Sequence, residues 1–173
     1  WLGEGYLLPK PAVLLIVANF YVGGMRVPVN NTKGVLGLFW DDRYKCIPEA
    51  VLNLAVSAVV AQYWGVAGIM AGTLVSTLAA PFWCEPLVLY RRGLGMPARR
   101  YFIGYLAHLA ATAVAGGMTW QLCRMVDGGF GGFLWKCLSC AVAPHAVYLL
   151  VYRKRDELLF FLAMAKRVIR NAG

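Results

Sequence analysis

The sequence predicts an all-α, polytopic membrane protein, a helical bundle with about five transmembrane helices. Of the 173 residues, 60% are hydrophobic and only 14% are charged, and the mean hydropathy is +0.60. A soluble domain carries about a quarter charged residues. The apolar residues fall in long runs, which favours spanning helices because a backbone in lipid must satisfy its own hydrogen bonds. The basic residues concentrate in alternate connections between these runs, as in proteins that cross a membrane repeatedly.

Five apolar runs approach the roughly 20 residues that a spanning helix requires. They lie at residues 11–29, 47–64, 66–90, 101–123 and 133–152. The first helix is predicted to end at Val29, because Arg26 and Pro28 interrupt the far end of its run. The third is predicted to kink or break near Pro81. The short stretch 34–40 cannot span a membrane, so it either extends the first helix or lies at the membrane surface.

The spans predict two regions, a transmembrane bundle at residues 1–152 and a basic tail at residues 153–173. The tail is apolar at first and basic later, and two interpretations stay open, an interfacial helix and an ordinary basic cytoplasmic tail. Because residue 1 is Trp1 and no basic region precedes a short apolar core, no signal peptide is expected. The chain is expected to begin inside a longer protein.

Charge in the connections predicts the orientation in a cell membrane. Fourteen of the 17 basic residues lie in alternate connections, 26–45 and 91–100, and in the tail. Basic connections stay in the cytoplasm, so the C-terminus is expected inside and the N-terminus outside. The formal charge of +9 is then explained by topology, and no nucleic-acid partner is expected.

Polar residues inside the spans are the candidates for function, because a charge at the bilayer centre costs about 2.5–3.5 kcal/mol even on the mildest scale. Arg26 lies about 22 Å along the first helix, in its cytoplasmic half. There it could hold a phosphate through paired hydrogen bonds or extend toward the lipid headgroups. Asn30 and Lys33 are expected at the cytoplasmic mouth of this helix, in contact with a phosphate or with water.

Three more polar residues lie within predicted spans. Asn53 is predicted to hydrogen-bond a neighbouring helix, with a sugar hydroxyl as the alternative partner. Glu85, near the cytoplasmic end of the third span, is predicted to pair with an arginine of the next loop, with proton coupling as the alternative. His108 is interpreted as a packed, hydrogen-bonded residue, although a histidine can titrate near neutral pH.

The chain carries no recognisable enzyme motif and is predicted to hold no cofactor or metal. The five cysteines are odd in number and lie in or beside apolar runs, which argues against a disulfide framework. Cys137 and Cys140 have the spacing of a redox or metal pair, but no second pair accompanies them. Small apolar packing in a helix is the preferred explanation.

Five runs within residues 1–90 form a distinctive pattern, namely YVGGMRVP at 21–28, KGVLGLFWDDR at 33–43, EAVLNLAVS at 49–57, WGVAGIMAGTLVS at 64–76 and WCEPLVLY at 83–90. These runs resemble the O-antigen and capsule polysaccharide flippases of the multidrug/oligosaccharidyl-lipid/polysaccharide exporter superfamily, which implies a transporter and not an enzyme. The last two helices agree with this family in number and topology but have no distinctive motif.

The resemblance implies a fold of two six-helix bundles around a central cavity, of which this chain supplies the last five helices. It implies a missing N-terminal half as a partner, together with the lipid bilayer and an undecaprenyl-pyrophosphate-linked oligosaccharide as substrate. Arg26 would then be a cavity cation for pyrophosphate or acidic sugar, with Asn30 and Lys33 near the cytoplasmic mouth. Asn53 and Thr73 would shape or line the path.

Three other interpretations stay open. A drug exporter of the same superfamily would couple to an ion through an intramembrane carboxylate, for which Glu49 and Glu85 are available, both near helix ends. A multi-span enzyme of polysaccharide assembly would need catalytic residues clustered in a loop, and no such cluster is seen. The chain could also be an inert truncation without transport activity.

Overall fold

A computed structural model describes residues 8–126, 129–153, 160, 164 and 167, and this part of the chain contains helices and turns but no strand. The helices are α1 (Lys10–Val35), α2 (Cys46–Trp64), α3 (Val66–Ala79), α4 (Pro81–Val88), α5 (Arg99–Arg124) and α6 (Phe130–Tyr152). A 3₁₀ turn at Arg43–Lys45 precedes α2, and a π-helical turn at Leu89–Gly93 follows α4.

The predicted all-α fold is confirmed, since five helical segments within the described residues are long and apolar enough to cross a membrane. They are Lys10–Val35, Arg43–Trp64, Val66–Gly93, Arg99–Arg124 and Phe130–Tyr152. The protein is therefore a multi-pass membrane protein. Many large apolar side chains on these segments are exposed, as lipid-facing surfaces require. The chain divides into two compact units, residues 1–102 and 103–173.

Helix α1 continues beyond Pro28, so the predicted end at Val29 is wrong. The helix runs to Val35 and takes up the first two residues of the short stretch 34–40. The Thr32 hydroxyl donates a hydrogen bond of 2.8 Å to the Pro28 carbonyl. This bond does not replace the one that Pro28 lacks, which would reach the Gly24 carbonyl. The sequence rule for proline comes from soluble helices, and it failed here because an internal proline is tolerated in membrane helices.

Helices α2 and α3 form a hairpin in which two glycines allow close backbone contact. The turn is at Gly65, whose φ of +54° lies in the left-handed region that favours glycine. A Cβ atom at Gly68 would lie 2.4 Å from the Ala61 backbone nitrogen, and one at Gly72 would lie 2.1 Å from the Ser57 Oγ. The Gly68-x-x-x-Gly72 spacing is therefore used for helix packing.

The third span is broken near Pro81, as the sequence predicts. Helix α3 ends at Ala79, and α4 begins at Pro81, where a missing N–H group costs little because it would have no helical partner. Helix α1 contacts both pieces of the span. Its Asn19 side-chain amide donates a hydrogen bond of 2.9 Å to the Met70 carbonyl of α3, while its contact with α4 is ionic and is described below.

The second unit contains most of α5 and all of α6, and side-chain hydrogen bonds join these two helices. The Trp135 indole donates to the Leu122 carbonyl over 3.2 Å. The Thr112 and Tyr148 hydroxyl oxygens are 2.6 Å apart. Most of the tail at residues 153–173 lies outside the described residues, so both interpretations of the tail stay predictions.

Candidate functional site

Six charged side chains and one amide of the first unit form a continuous polar network inside and beside the membrane spans, and we call it the ionic cluster. Its members are Arg26, Asn30, Lys33, Asp42, Lys45, Glu49 and Glu85. The cluster holds three cations and three anions, so its net formal charge is zero. It joins α1, the connection after α1, the start of α2 and α4.

Glu85 is the centre of the cluster and accepts hydrogen bonds from three side chains. Arg26 donates from Nε to Oε2 over 2.9 Å and from Nη2 to Oε1 over 2.7 Å, the paired geometry that suits guanidinium and carboxylate. Lys45 Nζ lies 2.8 Å from Oε1, and Asn30 Nδ2 lies 3.3 Å from Oε2. Because the Glu85 side chain is only 1% exposed, these donors replace the water that a carboxylate would otherwise bind.

The prediction that Glu85 pairs with an arginine of the next loop is therefore wrong. Glu85 lies on α4, which contacts α1, and its cations come from Arg26 and Lys45, 59 and 40 residues away in the chain. Of the loop arginines, Arg92 pairs instead with Asp41. Proximity along the sequence misled here because the helix directs the carboxylate toward α1.

Arg26 binds two carboxylates with unequal geometry. Besides the paired contact with Glu85, its Nη1 lies 3.4 Å from Glu49 Oε1, at the long end for a hydrogen bond. The Arg26 side chain is 21% exposed. Arg26 is thus held inside its span by protein carboxylates, and its Glu49 contact is the weaker of the two.

Lys33, Asp42 and Lys45 form the second part of the cluster. Lys33 is 2% exposed and forms an ion pair with Asp42, and Lys45 Nζ lies 2.8 Å from the same Asp42 oxygen. Burial alone would raise the pKa of Asp42, but the hydrogen bonds from Lys33 and Lys45 outweigh it and hold this pKa below its ordinary value.

The expectation that Lys33 meets water at a mouth of the first helix is corrected by this geometry. The helix continues to Val35, so Lys33 lies inside its last turn and is almost fully buried. A buried ammonium requires a charged partner, and the connection after α1 folds back to supply Asp42.

Asn53 and Thr73 lie together between α2 and α3. The Asn53 amide donates to Thr73 Oγ1 over 3.2 Å and to Ser76 Oγ over 3.4 Å. Both contacts cross the hairpin, so Asn53 joins the two helices in the way predicted for it. Neither residue belongs to the ionic cluster.

His108 lies in the second unit and binds a tyrosine of α6. Its Nδ1 is 2.7 Å from the Tyr152 hydroxyl, and the two rings stack with centroids 5.0 Å apart. The Tyr148 ring also stacks with that of Tyr152, with centroids 6.0 Å apart. His108 is therefore a packed and hydrogen-bonded residue in this structure.

Two members of the ionic cluster, Asp42 and Lys45, were not identified from the sequence. Both lie in the connection between α1 and α2, and charged side chains in such a connection are usually expected to be exposed to water. One signal was available, since Asp41 and Asp42 form an acidic pair in a connection that is otherwise basic. An acidic pair there indicates that some of the neighbouring cations have partners in the protein.

Across the described residues, no group of three or more histidine, cysteine, aspartate or glutamate side chains could hold a metal ion. Comparison with protein-family models, curated proteins and solved structures found no match to this chain. What the chain does must therefore be inferred from the chemistry of the ionic cluster.

Proposed function

We propose that the chain is the C-terminal part of a flippase that moves pyrophosphate-linked oligosaccharides on a lipid carrier across the cytoplasmic membrane by alternating access. The observation that carries this proposal is the ionic cluster within membrane spans. Charged groups at such depth are costly, and in membrane proteins they mark pathways for charged substrates and ions. The motif resemblance to polysaccharide flippases is the second support.

The chemistry of Arg26 suits a phosphate. A guanidinium offers parallel donors to the oxygens of either a carboxylate or a phosphate, so Glu85 occupies the position that a substrate phosphate would take. Lys45 contacts the same Glu85 oxygen as Arg26 Nη2. A phosphate that displaces Glu85 from Arg26 would therefore meet two cations.

In this proposal Glu85 is the shared counter-ion of Arg26 and Lys45 while no substrate is bound. Unpaired cations in a span would be costly, and a resident carboxylate removes that cost. Asn30 donates to the other Glu85 oxygen and keeps the carboxylate oriented. Asn53 and Thr73 contribute by holding α2 against α3, and Lys33 contributes by holding Asp42 near Lys45.

The test is genetic complementation with the complete gene that encodes this chain. We expect it to restore surface polysaccharide in a bacterium that lacks its own flippase, and we expect Arg26→Ala to abolish this. Arg26→Lys keeps the charge but loses the paired donors, so it should restore only part of the surface polysaccharide. Arg124→Ala, a change of equal charge outside the cluster, is the control and should behave as wild type.

The membrane level of each variant is measured in parallel. If Arg26→Ala reaches the membrane normally and restores polysaccharide fully, the role of the ionic cluster is refuted. If the unchanged gene restores nothing with any of several glycans, the flippase proposal fails as a whole.

One observation favours a second candidate, an ion-coupled drug exporter of the same superfamily. Glu85 is a buried carboxylate inside a span, the kind of group that takes up a proton or metal cation during transport. For an exporter, Glu85→Gln should abolish drug efflux driven by a proton or sodium gradient. For a flippase, the same variant should keep part of the polysaccharide transport, because Arg26 and Lys45 remain.

The proposed orientation has a separate test. With the C-terminus in the cytoplasm, a green fluorescent protein fused after Gly173 should fluoresce, and alkaline phosphatase at the same point should be inactive. The opposite pair of results would reverse the orientation and place the basic connections outside.

A further inference from the structure

Two connections of the first unit form one surface at the C-terminal end of α1. One runs over residues 36–45 and the other over residues 89–100. Arg92 of the second forms an ion pair with Asp41 of the first. A Cβ atom at Gly93 would lie 2.9 Å from methyl carbons of both Leu36 and Leu38, so the two connections are in direct contact.

This surface carries a cluster of exposed arginines that we call the basic rim. Its members are Arg43, Arg91, Arg92, Arg99 and Arg100. Asp41 is the only acidic residue of the two connections outside the ionic cluster. Five arginines and one aspartate leave four net positive charges here, whereas the three cations and three anions of the ionic cluster leave none. The uncompensated charge of this region is thus concentrated on the rim.

Aromatic side chains beside the rim place it at the membrane surface. The Arg43 guanidinium lies 4.7 Å from the Trp40 ring centroid and 4.6 Å from that of Tyr44. Trp40 is 75% exposed and Tyr44 is 66% exposed. Exposed tryptophan and tyrosine near the ends of spans belong at the depth of lipid headgroups, and the rim lies between the ends of four spans.

We propose that the basic rim binds the headgroups of anionic phospholipids in the surrounding bilayer. Arginine forms paired hydrogen bonds with phosphate oxygens, and groups of four or more basic residues beside spans attract anionic lipid. Four net charges at headgroup depth make an anionic bilayer surface the complementary partner. The proposal does not depend on transport activity.

The test measures lipid binding to the purified chain in neutral detergent, titrated with phosphatidylglycerol or phosphatidylcholine and followed by native mass spectrometry. We expect wild type to prefer phosphatidylglycerol, with a preference that weakens as salt rises. An arginine near an anionic surface contributes about 1 kcal/mol, roughly a fivefold change in affinity. The double variant Arg91→Gln/Arg99→Gln should therefore lose about 30-fold in phosphatidylglycerol affinity.

Two matched double variants test whether a loss of lipid binding comes from the rim arginines or instead from a lower net charge or from misfolding. Arg124→Gln/Lys136→Gln removes the same two charges elsewhere and should keep the wild-type affinity. Arg91→Lys/Arg99→Lys keeps the charge and should keep most of the binding. The proposal is overturned if wild type binds both lipids equally, if the two glutamine doubles lose affinity alike, or if the rim glutamine double binds as wild type does.

Discussion

The helices of the first unit are joined by backbone contact at glycines and by buried charge, whereas side-chain hydrogen bonds join α5 and α6 in the second. In lipid the hydrophobic effect does not hold helices together, so these contacts decide how firmly each unit is fixed. Gly68 and Gly72 bring the α2 and α3 backbones together, and Glu85 ties α4 to Arg26 of α1 and to Lys45.

The corresponding contacts in the second unit are individually weak. Interhelical hydrogen bonds in membrane proteins average about 0.6 kcal/mol, because the separated helices also find partners. The His108–Tyr152 and Thr112–Tyr148 contacts are of this kind. The Cys123 and Cys140 sulfur atoms, 4.0 Å apart, are free thiols and add no covalent link. The comparison teaches that the functional candidate lies in the unit whose helices are joined by buried charge.

The largest expected effect breaks the ionic cluster. Glu85→Gln leaves Arg26 and Lys45 without their shared anion, and losing one partner of a buried ion pair costs about 3–5 kcal/mol. Unfolding in mixed micelles with increasing dodecyl sulfate measures this loss. Asp41→Asn, which breaks only the exposed pair with Arg92, should cost less than about 1 kcal/mol. Equal losses in the two variants would show that the cluster does not stabilise the first unit.

A smaller effect is expected from filling the glycine contact of the hairpin. Gly68→Ala places a methyl group against the Ala61 backbone, which cannot move away cheaply, and overpacking of this kind costs about 1–3 kcal/mol. The same unfolding assay applies. The control is Gly104→Ala in the second unit, where, apart from the neighbouring backbone of its own helix, nothing lies within 4 Å of the added carbon. If Gly104→Ala is as harmful as Gly68→Ala, the contrast between the units is refuted.

Removing one hydrogen bond from the second unit should have a still smaller effect. Tyr152→Phe deletes the hydroxyl that contacts His108 and keeps the stacked ring, so we expect a loss near 0.6 kcal/mol, roughly the average for such bonds. Tyr63→Phe, at a tyrosine that is largely exposed on α2, is the matched control. A loss of several kcal/mol would mean that the second unit is as firmly held as the first.

The smallest effect is the pH dependence that Asp42 contributes to the stability of the first unit. The pKa of Asp42 is lower in the folded chain than in the unfolded chain, so the unfolded state binds its proton more readily. Its stabilisation is complete above the ordinary aspartate range near pH 4 and is lost as the pH falls through the lowered pKa. Asp42→Asn should flatten this part of the profile between about pH 5 and pH 3, measured by the same unfolding assay. A slope unchanged by Asp42→Asn would exclude this residue as its source.

The spans of this chain could be predicted from sequence because length and apolar composition alone decide them in lipid. The break at Pro81 was predictable from another local property, the missing N–H group of proline. The end of α1 could not be predicted in this way, because whether a helix continues through Pro28 depends on the surroundings of the helix. Local rules succeed where the backbone has one way to satisfy its hydrogen bonds.

The candidate site was predictable only in part. Arg26 and Glu85 attract attention because they are charged groups in apolar runs. Their pairing was missed because it joins residues 59 positions apart, and Lys45 was missed because it lies in a connection. Which carboxylate meets which cation depends on helix packing, and the sequence pattern carries no direct record of that packing.

The electrical neutrality of the ionic cluster has a consequence for energy coupling. A membrane potential of about 100 mV acts on each unit charge with about 2.3 kcal/mol across the full field. A cluster of three cations and three anions that moves as a body experiences no net force from this potential. Protonating Glu85 would leave one positive charge uncompensated, so movement of the cluster in that protonated state would be sensitive to voltage.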